Sequence, residues 1–248
     1  MMPSDSTASG VEHVDPGAAS EIRGIPLTGM QLHLGSGPRA IPGWLNVDKS
    51  WVAAVSRISP ILDVLARVGA LSDQQRTTRW SQDVTRRDLT KPFPWQTGSA
   101  RAIYSSHMLE HLDRVQARDF LKECFRVLAT GGIIRLVLPN LGRAVERYQQ
   151  ARQRGDARAA DDLIGFLYFV PPYEDMSRTR RIAMRLLHRP HAWMYDEASL
   201  SAILRQVGFV EVQARAFREG ICPDLERIEH RLDECFEGSS FFVEGVHP

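Results

Sequence analysis

The segment that most constrains the fold is residues 32–50, which reads LHLGSGPRAIPGWLNVDKS. An apolar run ends in Gly35-Ser36-Gly37, and a second short apolar run ends at Asp48. Glycines that follow a strand let the backbone turn tightly and approach a ligand, and a carboxylate at the end of the next strand can accept hydrogen bonds from a ribose diol. The pattern predicts two strands whose ends bind a nucleoside-bearing cofactor.

The spacing between the glycines and Asp48 separates two classes of cofactor. Gly35, Gly37 and Ala40 also satisfy the loose dinucleotide pattern G-x-G-x-x-G/A, in which a helix follows and the acidic residue lies roughly 20 positions further on. Here Asp48 follows Gly37 by 11 residues, with two prolines and a glycine between them. No long helix fits, so the helix N-terminus that would hold a pyrophosphate is missing. We therefore expect a cofactor with a ribose but no phosphate, such as S-adenosylmethionine.

Four sequence blocks in order resemble the class I S-adenosylmethionine-dependent methyltransferases, in particular the small-molecule subgroup called methyltransferase type 11. The blocks are LHLGSGP with LNVD at 32–48, DLTKPFPW at 88–95, AIYSSHMLEHL at 102–112 and RVLATGGIIRLVLPN at 126–140. The resemblance covers about residues 30–140, and residues 190–215 more loosely. It implies an α/β, Rossmann-like class I methyltransferase fold, with a mostly parallel seven-stranded sheet flanked by helices and a helical cap.

The resemblance also implies S-adenosyl-L-methionine as the cofactor. The residues that match the family's cofactor positions are Gly35, Ser36, Gly37, Pro38, Asp48, Asp88, Leu89, Ser106 and His107. In the family an acidic side chain and the next backbone amide meet the adenine, as Asp88 and Leu89 would here, and Asp83 is the alternative acidic residue. Arg101 and Thr130 depart from the family, which usually has Asp and Pro at these positions.

His107 is the candidate catalytic residue because it follows the apolar segment 102–106, at the sheet edge where open α/β folds bind ligands. Its imidazole could take a proton from an acceptor hydroxyl. The alternative is that His107 only lines the pocket, and we favour this because the sequence places no carboxylate to orient the ring. A base is optional, since displacement on a sulfonium methyl can proceed by positioning alone. His111 is expected to be structural, and no catalytic role is expected for His188 or His191, which flank Pro190.

Local signals predict the other elements. Strands are expected at 31–35, 44–48, 102–106 and about 133–139, and a helix at 58–70. Asp113 and Gln116 form the start signal of a helix that would end at Gly131, and Asp196 starts a helix at 197–206 that Gly208 ends. A last apolar strand is expected in SSFFVEGVHP.

Composition narrows the classes of partner. Thirty-one basic and 30 acidic side chains give a net charge of +1, so no overall field attracts nucleic acid or an anionic membrane. No apolar run approaches the roughly 18 residues of a membrane span. The three cysteines Cys124, Cys222 and Cys235 are odd in number and lack CxxC spacing, which argues against a disulfide framework and against a zinc site. No metal is expected. A reducing cytoplasm is the expected setting. Nothing in the sequence indicates the oligomeric state.

We expect a disordered leader at 1–28 and one methyltransferase domain at 29–248, with an insertion at 52–82 and a substrate cap at about 141–195. The cap includes an arginine-rich piece, which is either a solvated helical face or a site for an anionic acceptor: Arg178, Arg180, Arg181, Arg185 and Arg189. The resemblance implies methyl transfer to a small-molecule acceptor, most simply O-methylation of a sugar or secondary metabolite. The alternatives are a cofactor-binding protein without turnover and a nucleotide-dependent oxidoreductase or epimerase.

Overall fold

The structure is a computed structural model, and it describes residues 29–50, 80–167, 178, 190–229 and 240–248. The elements are β1 (Met30–Leu34), β2 (Leu45–Asp48), β3 (Val84–Arg86), β4 (Ala100–Ser106), α1 (Arg114–Val127), β5 (Leu128–Pro139), α2 (Leu141–Gln153), α3 (Ala159–Leu167), α4 (Glu197–Val207), β6 (Val210–Arg215), α5 (Leu225–Ile228) and β7 (Ser240–Val246). A short 3₁₀ turn, Leu109–His111, lies between β4 and α1.

The strands form one seven-stranded sheet in the order β3-β2-β1-β4-β5-β7-β6. All pairs from β3 to β5 are parallel, and β7 runs antiparallel to both β5 and β6. This confirms the predicted α/β architecture with a mostly parallel sheet. The chain order reverses between β1 and β4, and the crevice beyond the carboxyl ends of such a pair is where open α/β sheets bind ligands.

One face of the sheet is covered by helices whose start signals the sequence predicted. The Asp113 carboxylate accepts hydrogen bonds from the amides of Val115 and Gln116 and completes a capping box for α1. Asp196 caps α4 in the same way, and Gly208 ends that helix with φ +123°. Apolar side chains of both helices pack in the main core, among them Phe120, Leu121, Cys124, Leu200 and Leu204.

The predicted end of the first of these helices at Gly131 is wrong. Helix α1 ends at Val127, and Leu128 already pairs with Ala100 of β4. Gly131 lies inside β5 with φ +74°, where the register against β4 shifts. The glycine pair therefore forms an irregularity within a strand, which positive φ permits, and does not stop a helix.

On the opposite face of the sheet, the described segment 216–229, which follows β6, packs against the strands. As expected from the short spacing, no helix connects β1 to β2. An apolar cluster on that face joins α5 and the residues just before it to the strands and to the β1–β2 connection. Its buried members are Ile41, Trp44, Ala102, Tyr104, Ile133, Val137, Cys222, Leu225 and Ile228. Asp224 holds this segment in place because its Oδ2 accepts from Trp44 Nε1 at 3.0 Å and from Gln31 Nε2 at 3.2 Å. Arg101, which departs from the family, donates to Gln31 Oε1.

A buried ion-pair network also holds this segment. Arg135 on β5 is fully buried; its Nε donates to Glu229 Oε1 at 2.6 Å and its Nη1 to Glu244 Oε1 at 3.2 Å. Its remaining donors reach the backbone oxygens of Ala216 and Glu219. Because both carboxylates are also buried, each charge depends on its partners, and removing one partner would leave a buried charge unpaired.

Several predicted features lie outside the described residues. These are the leader at 1–28, the helix at 58–70 with most of the insertion at 52–82, His188, Cys235 and the arginines other than Arg178. Among the described helices, none is long and apolar enough to cross a membrane.

Candidate active site

The glycine turn after β1 is tied to the end of β2. The amides of Gly35 and Ser36 donate to the carbonyl oxygen of Val47 at 2.8 and 3.1 Å. Gly35 has φ +74° and Gly37 has φ +61°, which glycine adopts without steric cost. A Cβ on Gly35 would lie 2.7 Å from the Met108 side chain, so the turn approaches the segment that follows β4 as closely as atoms allow.

The Asp48 carboxylate is fixed beside this turn. Its Oδ2 accepts from the Gly37 amide at 2.9 Å, and its Oδ1 accepts from the Ser50 amide at 2.7 Å. A carboxylate oxygen has more than one acceptor site, so each can accept a further hydrogen bond from a ribose hydroxyl. The sequence-predicted Gly37 and Asp48 are thus in direct contact.

Ser36 and Pro38 have mainly structural contacts. The Ser36 side chain is buried and its hydroxyl lies 3.4 Å from the Gly37 carbonyl oxygen. The Pro38 carbonyl accepts from the Ser81 amide at 3.0 Å. These contacts hold the turn against the approach to β3.

Asp88 lies two residues beyond β3 and forms an ion pair with Lys49. The Lys49 Nζ to Asp88 Oδ2 distance is 2.6 Å, and Thr90 donates to Oδ1. Partial burial raises the pKa of Asp88, but the hydrogen bonds from Lys49 and Thr90 outweigh it and lower the pKa to about 2. Leu89 is buried, so only its backbone can face a ligand. Asp83, the alternative, precedes β3 and so lies at the opposite edge of the sheet.

His107 occupies a strained position directly after Ser106, the last residue of β4. Its φ is +51°, which is uncommon for a residue other than glycine, and its amide donates to the Val137 carbonyl at 2.9 Å. Its Nε2 lies 3.0 Å from the Ser240 hydroxyl at the start of β7. Backbone strain of this kind is concentrated at functional sites, which agrees with the position of His107 at the carboxyl edge.

Glu110 is a site residue that the sequence analysis missed. Its Oε1 lies 3.3 Å from His107 Nδ1, and the side chain is 1% exposed. The expectation that no carboxylate orients the His107 ring is therefore wrong. Glu110 lies only three residues after His107, in the 3₁₀ turn that follows β4, so this short spacing was visible in the sequence.

Two further histidines adjoin Glu110. The ring centroids of His111 and His191 are 5.1 Å apart, and one potential ligand atom from each of Glu110, His111 and His191 lies within 4.8 Å of the others. Burial lowers the pKa of His191, which favours the neutral imidazole. His111 was expected to be structural, and no catalytic role was expected for His191.

One family model matches the part of the chain that carries the glycine turn. Residues 32–136 match the family model described as a methyltransferase domain, which spans β1 to β5 and includes the glycine turn, Asp48, Asp88 and His107. No curated protein matches the chain.

Solved structures of methyltransferases are similar to this chain. The S-adenosylmethionine-dependent methyltransferase SibL aligns at TM-score 0.47 with 15% identity over 89% of this chain and 51% of its own, so this chain spans about half of it. A possible histamine N-methyltransferase from Thermotoga maritima aligns at TM-score 0.45 with 15% identity, covering 90% of this chain and 84% of that one. A methyltransferase from Archaeoglobus fulgidus aligns at TM-score 0.43 with 12% identity, covering 88% and 86%.

The family match includes the glycine turn and Asp48, and the sheet order places both at the carboxyl edge between β1 and β2. Residues 32–136 are therefore similar to a methyltransferase domain, the class of protein that the sequence blocks resemble.

Proposed function

We propose that the protein transfers the methyl group of S-adenosylmethionine to a hydroxyl group of a small-molecule acceptor, such as a sugar or a secondary metabolite. The observation that carries the choice of a hydroxyl is the line of three side chains formed by Glu110, His107 and Ser240. A hydroxyl must lose a proton during transfer, and this line can accept one.

In this role His107 would carry its ring proton on Nδ1. A proton on Nδ1 faces the Glu110 carboxylate, which leaves the Nε2 lone pair to accept from the Ser240 hydroxyl. The Ser240 oxygen can in turn accept from an acceptor hydroxyl. His107 would then remove the proton through Ser240, or directly if the serine moves aside.

The bond changes of the reaction balance with this path. The acceptor oxygen forms a bond to the methyl carbon while the bond from that carbon to the sulfonium sulfur breaks, and S-adenosylhomocysteine leaves. The hydroxyl proton ends on His107, where the Glu110 carboxylate stabilises the imidazolium. The cofactor residues Gly35, Gly37 and Asp48, with Asp88, Leu89 and Ser106, would hold the donor so that the methyl points toward this line.

The proposal also includes an anionic acceptor and a cytoplasmic location. The arginine-rich cap supports an anionic acceptor, because guanidinium groups match phosphate and carboxylate. The described cysteines Cys124 and Cys222 are buried free thiols, which supports a reducing compartment such as the cytoplasm.

A competition assay tests the acceptor class. The purified protein is incubated with methyl-labelled S-adenosylmethionine and a panel of sugars, phenols, carboxylates and amines, with and without phosphate groups, and products are identified by mass spectrometry. We expect label on oxygen, with phosphorylated or carboxylated alcohols preferred. Label found only on nitrogen or carbon would overturn the choice of a hydroxyl, and binding of the donor without any transfer would favour the protein without turnover.

A further inference from the structure

The buried carboxylate of Glu110 is short of hydrogen bonds. Neither of its oxygens accepts one with good geometry from any residue that the structure describes, and its side chain is 1% exposed. His107 Nδ1, at 3.3 Å from Oε1, faces only one of the two oxygens. A buried carboxylate without a full set of partners is costly, so Glu110 calls for a further positive group.

Two further imidazoles lie close to this carboxylate. His111 follows Glu110 on the 3₁₀ turn, and His191 comes from the segment that precedes α4. One nitrogen of each ring and one Glu110 oxygen lie within 4.8 Å of one another. Two imidazoles and a carboxylate are a common ligand set for divalent transition metals.

The backbone holds the two ligand-bearing segments together. The Glu110 carbonyl oxygen accepts from the amides of Ala192 at 2.7 Å and Trp193 at 3.1 Å. The Arg114 guanidinium lies 4.8 Å from the centre of the Trp193 ring and adds a second contact between the segments. The relative position of His111 and His191 is therefore fixed before any ion binds.

A second contact prepares the His111 ring to act as a ligand. His111 Nδ1 lies 3.3 Å from the Pro190 carbonyl oxygen. A proton on Nδ1 can donate to that carbonyl, which leaves the Nε2 lone pair for an ion. Metal-binding histidines commonly donate their other ring N–H to a backbone carbonyl in this way.

We propose that Glu110, His111 and His191 bind a divalent first-row transition-metal ion. Ligand atoms around such an ion, at bond lengths of roughly 2.0–2.2 Å, lie nearer to each other than 4.8 Å, so binding would draw the three side chains inward by small rotations. The cysteine spacing, on which the sequence analysis excluded zinc, does not bear on this set. This set shares Glu110 with the proposed proton path, but ion binding is measured without methyl transfer, so a failure of one proposal is distinguishable from a failure of the other.

Cobalt(II) is a suitable probe because its visible absorption reports coordination. The full-length protein is first treated with EDTA and dialysed, then titrated with Co²⁺ while the absorption, the heat of binding and the melting temperature are followed. We expect one ion per chain and a rise in melting temperature, because the ion links two segments that are far apart in the chain. No saturable absorption or heat would overturn the proposal.

Variants show whether these side chains hold the ion. His111→Ala and His191→Ala should each weaken Co²⁺ affinity by at least about tenfold, because each removes a ligand and loss of even an outer partner costs that much. The matched control is His247→Ala, whose ring packs at 4.2 Å from the Phe125 ring, and it should leave the affinity unchanged. Circular dichroism in EDTA checks folding of every variant. The assignment would be overturned if both cluster variants bound Co²⁺ as tightly as the parent protein. It would also be overturned if His247→Ala lost as much Co²⁺ affinity as the cluster variants.

Discussion

The Glu110 carboxylate lies 3.3 Å from Nδ1 of His107, and the pair stands at the carboxyl end of β4, the central parallel strand next to the glycine turn. In this position the backbone of His107 adopts a strained φ of +51°. Glu110 beside Nδ1 and Ser240 beside Nε2 therefore hold the direction of the ring, which a residue that only lined a pocket would not need.

Asp48→Ala should weaken S-adenosylmethionine binding by about 10- to 100-fold, the equivalent of about 1.5–3 kcal/mol for hydrogen bonds to a charged group. Isothermal titration with the cofactor measures this. The control is Asp83→Ala, since Asp83 precedes β3 at the other edge and should leave affinity unchanged. The ribose assignment fails if Asp48→Ala binds as tightly as the parent.

The fold could be predicted because its determinants are local. The distance from Gly37 to Asp48 excludes a connecting helix, and the capping residues Asp113 and Asp196 mark two helix starts that the structure confirms. The end of α1 could not be found in this way. Gly131 looks like a helix stop in sequence, but the choice between a helix end and a strand irregularity depends on pairing with β4.

Contacts between distant parts of the chain were beyond the sequence argument. Nothing local indicates that Arg135 would be buried between Glu229 and Glu244, or that Asp224 would accept from Trp44. Glu110 is a different case, since its spacing from His107 could have been recognised. Its burial could not, because it depends on the segment around residue 191 that packs over it.

Gly35→Ala should fold less stably and bind the cofactor poorly. Its φ of +74° costs a residue with a Cβ about 1 kcal/mol or more, and the new Cβ would lie 2.7 Å from the Met108 side chain. Gly155→Ala is the matched control, because Gly155 has φ +73° with no atom within 4 Å of an added Cβ. Urea unfolding and cofactor titration measure both effects.

Gly35 and Gly155 have nearly the same φ, and an added Cβ meets the Met108 side chain only at Gly35, so the difference between the two variants reports that contact. The second variant, Gly35→Ala with Met108→Ala, removes the side chain that the Cβ would meet and should recover part of the stability. Equal losses in Gly35→Ala and Gly155→Ala would show that the backbone angle alone is responsible and that the close approach is not important.

The ion pair of Lys49 and Asp88 should make stability depend on acid pH. Because the pKa of Asp88 is lowered from 3.8 to about 2 in the folded protein, its contribution is fully present above about pH 4 and is lost as the pH falls toward 2. Lys49 is 42% exposed, so solvent screening limits the contribution to about 1 kcal/mol or less. Urea midpoints between pH 5 and pH 2 should therefore fall less steeply for Lys49→Gln than for the parent.

Lys122→Gln is the control for this pH series. Lys122 faces Asp119 at 3.6 Å, but both side chains are more than 60% exposed, so its loss should leave the pH dependence unchanged. If the two variants behave alike, the lowered pKa of Asp88 does not arise from Lys49.

His107→Asn tests the role of the imidazole without adding backbone strain, because asparagine tolerates the φ of +51° better than alanine does. If His107 removes the acceptor proton, turnover should fall by about 10²- to 10⁴-fold while cofactor affinity changes little.

Ser240→Ala should reduce turnover less, since the acceptor hydroxyl can then approach Nε2 directly. Steady-state kinetics at a fixed pH, with cofactor titration of each variant, measure both effects. A parallel loss of cofactor affinity and rate would instead show that His107 only positions the donor.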